Sequence, residues 1–191
     1  EISSGTACID FLSLSAREYG ATFGFQRLLN LLLKYDVKAT VLTSGLMAEL
    51  FPGTLRQAME HGHEVACHHW DQCRHPIDYP NLEEERNAIV RAIDAIEKAT
   101  GKRPLGYMSP GPRPSPFTLE ICASMGFLWN GDYGNSDVPY RIDVNGKKLI
   151  SIGYVRPSYT DNDLLPLGLA GALQQLKDEF AAHYEESATQ P

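Results

Sequence analysis

Residues 62–75, GHEVACHHWDQCRH, place four histidines and two cysteines within fourteen positions. Imidazoles and thiolates are the side chains that hold transition metals, and a neutral imidazole near a carboxylate also moves protons. His68, His69, Cys73 and His75 are therefore candidate donors, with Asp71 and Gln72 between them. His68 and His69 are adjacent, so in a continuing strand they point to opposite faces and one of them faces a site. A second candidate is Asp10, a carboxylate in the otherwise apolar run ACIDFL. It reads either as an acceptor of backbone N–H bonds in the following loop or as a general base whose proton affinity burial raises. A third is Asp132 in the loop WNGDYGNSD, where turn chemistry explains an aspartate as well as catalysis does.

Composition narrows the classes. At 191 residues, 43% hydrophobic and 21% charged, the chain suits one buried domain of an ordinary globular protein. A net charge of −7 with scattered basic residues argues against nucleic acid and against an anionic membrane surface. The longest apolar run, LLNLLL at 28–33, is too short to span a bilayer, and no signal peptide stands at the start. The four cysteines, Cys8, Cys67, Cys73 and Cys122, form no C-x-x-C pair, so reduced thiols in a cytoplasmic protein are expected.

The elements that must position these residues follow from periodicity. Residues 6–12, 37–45, 63–67, 104–109, 127–130 and 147–155 read as strands. Between them, 23–36 reads as a helix with Phe25, Leu28, Leu29 and Leu32 on one face. A second helix follows Pro52 and closes on Gly62. Residues 82–101 carry Glu83, Glu84 and Glu85 in the first turn and Ile89, Ile93 and Ile96 as an apolar stripe. Residues 115–126 take Ser115 as N-cap and Gly126 as C-cap, and 167–185 turn Leu169, Leu173, Leu176, Phe180 and Tyr184 inward. Alternating strands and helices imply a parallel α/β sheet or barrel, with chemistry on loops at the carboxyl ends of the strands. Those loops are 10–15, 43–45, 68–75, 109–113 and 130–133. The chain ends on a long helix with no strand after it, so the barrel is expected to be open or incomplete.

The ordered stretches FGFQRLLNLLLKYDVKATVLTSGLMAE, GHEVACHHW, ATGKRPLGYMSPG, SPFTLEICASMGFLWN and SDVPYRIDVNGKKLISIG resemble the polysaccharide deacetylase family, in particular its allantoinase-like and cyclic-imide-hydrolase-like branch. The resemblance runs over nearly the whole chain. It implies one domain over 1–191 with a distorted parallel (β/α) barrel, lacking the family's C-terminal strand. It also implies hydrolysis of C–N bonds that are not peptide bonds.

Carried over residue by residue, the resemblance puts Asp10 on the base position and His68 on the first metal histidine. The metal-binding aspartate position holds Leu12, the second metal histidine position holds Gln72, and the arginine that orients the base is Met108. Pro110 and Gly111 are kept. Leu12 has no lone pair and Gln72 offers a neutral amide oxygen, so the cofactor is expected to be none, or a weakly held divalent metal such as zinc or manganese. Leu12, Met108, Trp129 and Asp132 are expected to meet the substrate. Trp129, Tyr107 and Tyr154 fall on strands and equally suit a core. His61, His63 and His183 read as structural, and Asp161 and Asp163 stay open.

Three functions compete. The first is a hydrolase opening a small cyclic imide, ureide or amide, with Asp10 as base, His68 binding metal or polarising the carbonyl, and backbone N–H groups of 43–45 as oxyanion donors. The second is a non-hydrolytic isomerase, dehydratase or cyclase that shuttles protons between Asp10 and His68 in a drier pocket. The third is a catalytically dead binding member. The partner is a small molecule, and self-association is expected because an unclosed barrel leaves an exposed strand edge.

Overall fold

Four helices between residues 45 and 124 pack on one face of a six-stranded sheet and supply most of the buried apolar core. The computed structural model describes residues 11–136, 138–153 and 160–189. Asp10, Cys8 and Tyr154 lie outside them, as does most of the strand expected at 6–12.

In chain order the elements are α1 (Phe11–Tyr19), α2 (Phe25–Lys34), β1 (Thr40–Thr43), α3 (Gly45–Leu50), α4 (Pro52–Glu60), β2 (Glu64–Cys67), α5 (Leu82–Thr100), β3 (Gly106–Tyr107), α6 (Thr118–Ser124), β4 (Trp129–Asn130), β5 (Tyr140–Val144), β6 (Lys147–Ser151), α7 (Asp161–Leu164) and α8 (Gly168–Glu186). The sheet order is β1-β2-β3-β4-β6-β5. Neighbours pair in parallel, except β5, which runs antiparallel to β6. The described sheet is an open, mixed α/β sheet. The β5–β6 hairpin turns at Asn145 and Gly146, both at positive φ (53° and 77°). That is the conformation a two-residue Asn-Gly hairpin needs.

Register divides the sheet into two faces. Val65, Cys67, Tyr107, Asn130 and Leu149 point to the helices and are buried. Thr40, Leu42, Glu64, Gly106, Trp129 and Ile150 share the other face. There the Trp129 indole donates to Glu64 Oε1 (2.9 Å), and Thr40 Oγ1 donates to Glu64 Oε2 (2.7 Å). The indole lies so close over Gly106 that a Cβ there would stand 1.8 Å from it.

Several expectations are corrected. Phe11 and Leu12 open a helix instead of ending a strand, and a π-helical turn at Gly20–Gly24 joins α1 to α2. The strand at 37–45 stops at Thr43, because Ser44 N-caps α3 by accepting from Met47 N. Ser115 does not cap α6: its Oγ accepts from Phe117 N in a turn and donates to Glu85, and the helix starts at Thr118. The stripe of α8 does not face inward. Leu169 is 88% exposed, and Leu173, Leu176, Phe180 and Tyr184 are exposed as well. Among the described residues, the helix packs chiefly against α7 and the 3-10 turn at Leu165–Leu167. Among the described residues, no helix is long and apolar enough to cross a membrane.

Gly106→Ala is expected to cost about 3 kcal/mol, because the added methyl must displace an indole that is hydrogen-bonded to Glu64. Urea titration measures it; a loss below about 1 kcal/mol would mean the indole moves freely.

Candidate active site

Parallel pairing brings the carboxyl ends of β1 to β4 together, and each strand hands over a polar side chain where its ladder stops. After β2 comes His68, whose N–H still donates to Thr43 O (2.8 Å). Its ring turns to β3, with Nδ1 2.8 Å from Met108 O. A carbonyl only accepts, so Nδ1 carries the proton and Nε2 carries a lone pair. Burial lowers the proton affinity of this ring, and the bond to Met108 opposes that in part. His68 is neutral at physiological pH, fixed in one tautomer and half-buried.

After β4 comes Asp132, also half-buried. Its Oδ1 accepts from Ser109 N (2.6 Å). Its Oδ2 accepts from Ser109 Oγ (2.9 Å) and from Asn130 Nδ2 (2.9 Å). Its own N–H donates back to Asn130 Oδ1 (2.9 Å). Burial raises the Asp132 pKa, and these donors offset part of the rise. A Gly-rich turn alone would not bring three donors onto one carboxylate; Asp132 is built into the strand ends.

His68 and Asp132 are thus joined through one peptide unit, Met108 C=O to the first and Ser109 N–H to the second. Met108 itself is buried, and its side chain lies against Gly131, where a Cβ would be 3.2 Å away. Trp129 sits on the open sheet face, bonded to Glu64. Leu12 is 80% exposed on α1. The expected substrate contacts of Trp129, Leu12 and Met108 are therefore spread over three places. Of the four, Met108 meets His68 directly through its backbone carbonyl, and Asp132 is linked to it through the next N–H.

His69 lies past the end of β2, where a left-handed backbone carries its ring to Tyr107. It is fully buried at φ 61°, with Nδ1 3.1 Å from the Tyr107 hydroxyl, its ring edge-on to Tyr79, and Nε2 without a partner. Burial is the main cause that lowers its pKa to about 4.

The other donors of the histidine-rich loop are committed elsewhere. Asp71 Oδ1 accepts from Cys73 N (2.7 Å) and Arg74 N (2.9 Å), closing its own turn. His75 faces Asp78. Gln72 and Cys73 are exposed. Among the described residues no three metal-binding side chains converge. Asp71 closes its own turn, His69 is bonded to Tyr107 and His75 faces Asp78, so the described donors form no closed ligand set for a divalent cation.

Within the expected oxyanion stretch 43–45, the Gly45 N–H is already taken, donating to His69 O (2.9 Å), and the next N–H, of Leu46, donates to Trp70 O (2.9 Å). Asp163, inside the single turn of α7, reaches back to accept from Thr160 N and Oγ1 just before the helix; Asp161 opens the same helix. His63 holds the entry to β2, with Nδ1 accepting from Ala39 N (3.2 Å). Cys67, Cys73 and Cys122 are free thiols, and burial pushes Cys67 up to about 12, which makes it inert.

Sequence reasoning placed Ser109 and Asn130 in candidate site loops without giving either a role, and it missed the part played by Glu85. Glu85, placed at the helix start to suit the dipole, is instead fully buried and accepts from Ser115 and Thr118, pinning α6 to α5.

Because the native state holds His69 neutral, its contribution to stability is present above about pH 6.5 and is lost as pH falls towards about 4. Compared with His69→Asn, which also tolerates a left-handed backbone, the unaltered protein should lose about 3 kcal/mol more across that window. Urea titrations at several pH values read the difference; parallel curves would show His69 to be solvated.

Comparison with known proteins agrees with the resemblance. Residues 18–128 match the polysaccharide deacetylase family. A peptidoglycan deacetylase from Helicobacter pylori is 30% identical over 127 residues, which are 66% of this chain and 43% of that protein. Among solved structures, a probable polysaccharide deacetylase from Pseudomonas aeruginosa PAO1 superposes with a TM-score of 0.83 at 28% identity, covering 100% of this chain and 64% of that one. PuuE allantoinase superposes with a TM-score of 0.79 at 26% identity, covering 99% and 64%. The chain thus spans less than half of the curated relative and under two thirds of either structure. It belongs to the polysaccharide deacetylase family.

Proposed function

We propose that this family member is a hydrolase that opens the C–N bond of a small cyclic imide, ureide or amide. The observation that carries the reading is the His68 ring, locked with its Nε2 lone pair unprotonated at the carboxyl end of a parallel sheet. Similarity to an allantoinase and to deacetylases supports a non-peptide C–N bond as the target.

A neutral ring bonded through Nδ1–H has no Nε2–H, so His68 does not polarise a carbonyl in its resting state. It accepts instead. In the proposed sequence, Asp10 takes one proton from the attacking water as its oxygen adds to the ring carbonyl. His68 Nε2 orients that water or takes its second proton, and a proton then passes to the departing nitrogen as the C–N bond breaks. Asp132 orients His68 from behind. A cyclic imide suits this equipment because its carbonyl is more electrophilic than that of an acetamide, so base assistance of about 10²–10⁴ goes further.

The test is turnover of hydantoin, succinimide and N-acetylglucosamine in ¹⁸O-labelled water. Ring opening that places one ¹⁸O in the new carboxylate, with His68→Ala at least about 100-fold slower, is the expected result. Acetate release from the sugar without ring opening would assign the chain to deacetylation instead.

A further inference from the structure

We infer that Asp132 is a positioning residue for His68, acting through the peptide unit between Met108 and Ser109. The ladder of β3 holds the preceding unit firmly: Met108 N donates to Cys67 O (3.0 Å) and Tyr107 O accepts from Gly131 N (2.9 Å). One residue later the ladder has ended. The Met108–Ser109 unit has no backbone partner; its carbonyl accepts from His68 (2.8 Å) and its N–H donates to Asp132 (2.6 Å). Two side chains therefore set its rotation.

A trans peptide points its C=O and N–H in opposite directions, so the two side chains grip it from opposite sides. Amide conjugation makes the grip cooperative. A negative charge at the N–H draws density towards the oxygen, which then accepts more strongly from His68 Nδ1–H. Asp132 can do this because it is immobile: Asn130 Nδ2 and Ser109 Oγ hold its second oxygen, and its own N–H is returned to Asn130. The outcome is an imidazole whose ring plane and tautomer are set by a carboxylate that it does not touch.

The inference rests on His68 being the functional imidazole, and its test reads the ring and not turnover, so the two fail separately. In ¹⁵N-histidine-labelled protein, NMR follows the His68 Nδ1–H resonance and its exchange with water. Asp132→Asn should move that resonance upfield and speed exchange about fivefold, the change expected for losing one typical hydrogen bond. Ser109→Ala keeps the backbone N–H and the Asn130 restraint on Asp132, and should change both by much less than Asp132→Asn does. Asp132→Ser, smaller and neutral, is read in the same way should the asparagine variant not fold. An unchanged resonance and exchange rate in a folded Asp132 variant would overturn the inference. So would a Ser109→Ala effect as large as that of Asp132→Asn, which would route the coupling through the hydroxyl.

Discussion

Everything at the candidate site depends on where the β3 ladder stops. Tyr107 is the last residue in register, paired with Cys67 on one side and Asn130 on the other. The next peptide is handed to side chains, with His68 on its oxygen and Asp132 on its nitrogen. A strand one residue longer would offer this N–H to its neighbour, and Asp132 would lose its shortest contact. A strand one residue shorter would leave His68 without a fixed acceptor. A two-residue strand is therefore a functional dimension here.

That arrangement needs a rigid floor, and the helices supply it. Glu85, fully buried on α5, draws Ser115 and Thr118 to itself and clamps α6 against α5. A buried carboxylate is costly unless donors meet it, and its burial does raise its pKa. Two hydroxyl donors offset that cost and fix one packing of the two helices. Asp132 obeys the same rule at the strand ends, with three donors in place of two. On the opposite sheet face the polar set is smaller. Glu64 joins Thr40 on β1 to Trp129 on β4, bracing a surface that the helices leave open.

Much of this was legible in the residues. Periodicity found α2, α4 and α5, and the alternation of strands with helices implied that the inner strands run parallel. His68 was legible from its place at a strand end, and Asp132 from a polar loop after a short strand. Other features depend on contacts that no local pattern records. Ser109 and Asn130 matter only because β3 and β4 are neighbours in register. Gly45 reads as a strand terminus until its N–H is found on His69 O. The apolar stripe of α8 has the spacing of an inward face, and the described residues place no sheet against it. Asp10 lies outside the described residues, so the base it supplies in the proposed reaction is a reading of the family pattern.

One measurement bears most directly on the proposed chemistry: the positions of the protons on His68. A neutron diffraction structure at neutral pD should show a deuteron on Nδ1, directed at Met108 O, and none on Nε2. That tautomer leaves the lone pair where water would be deprotonated. A deuteron on Nε2 in place of Nδ1 would make His68 a donor at rest, break its bond to Met108 and contradict both its acceptor role and its coupling to Asp132.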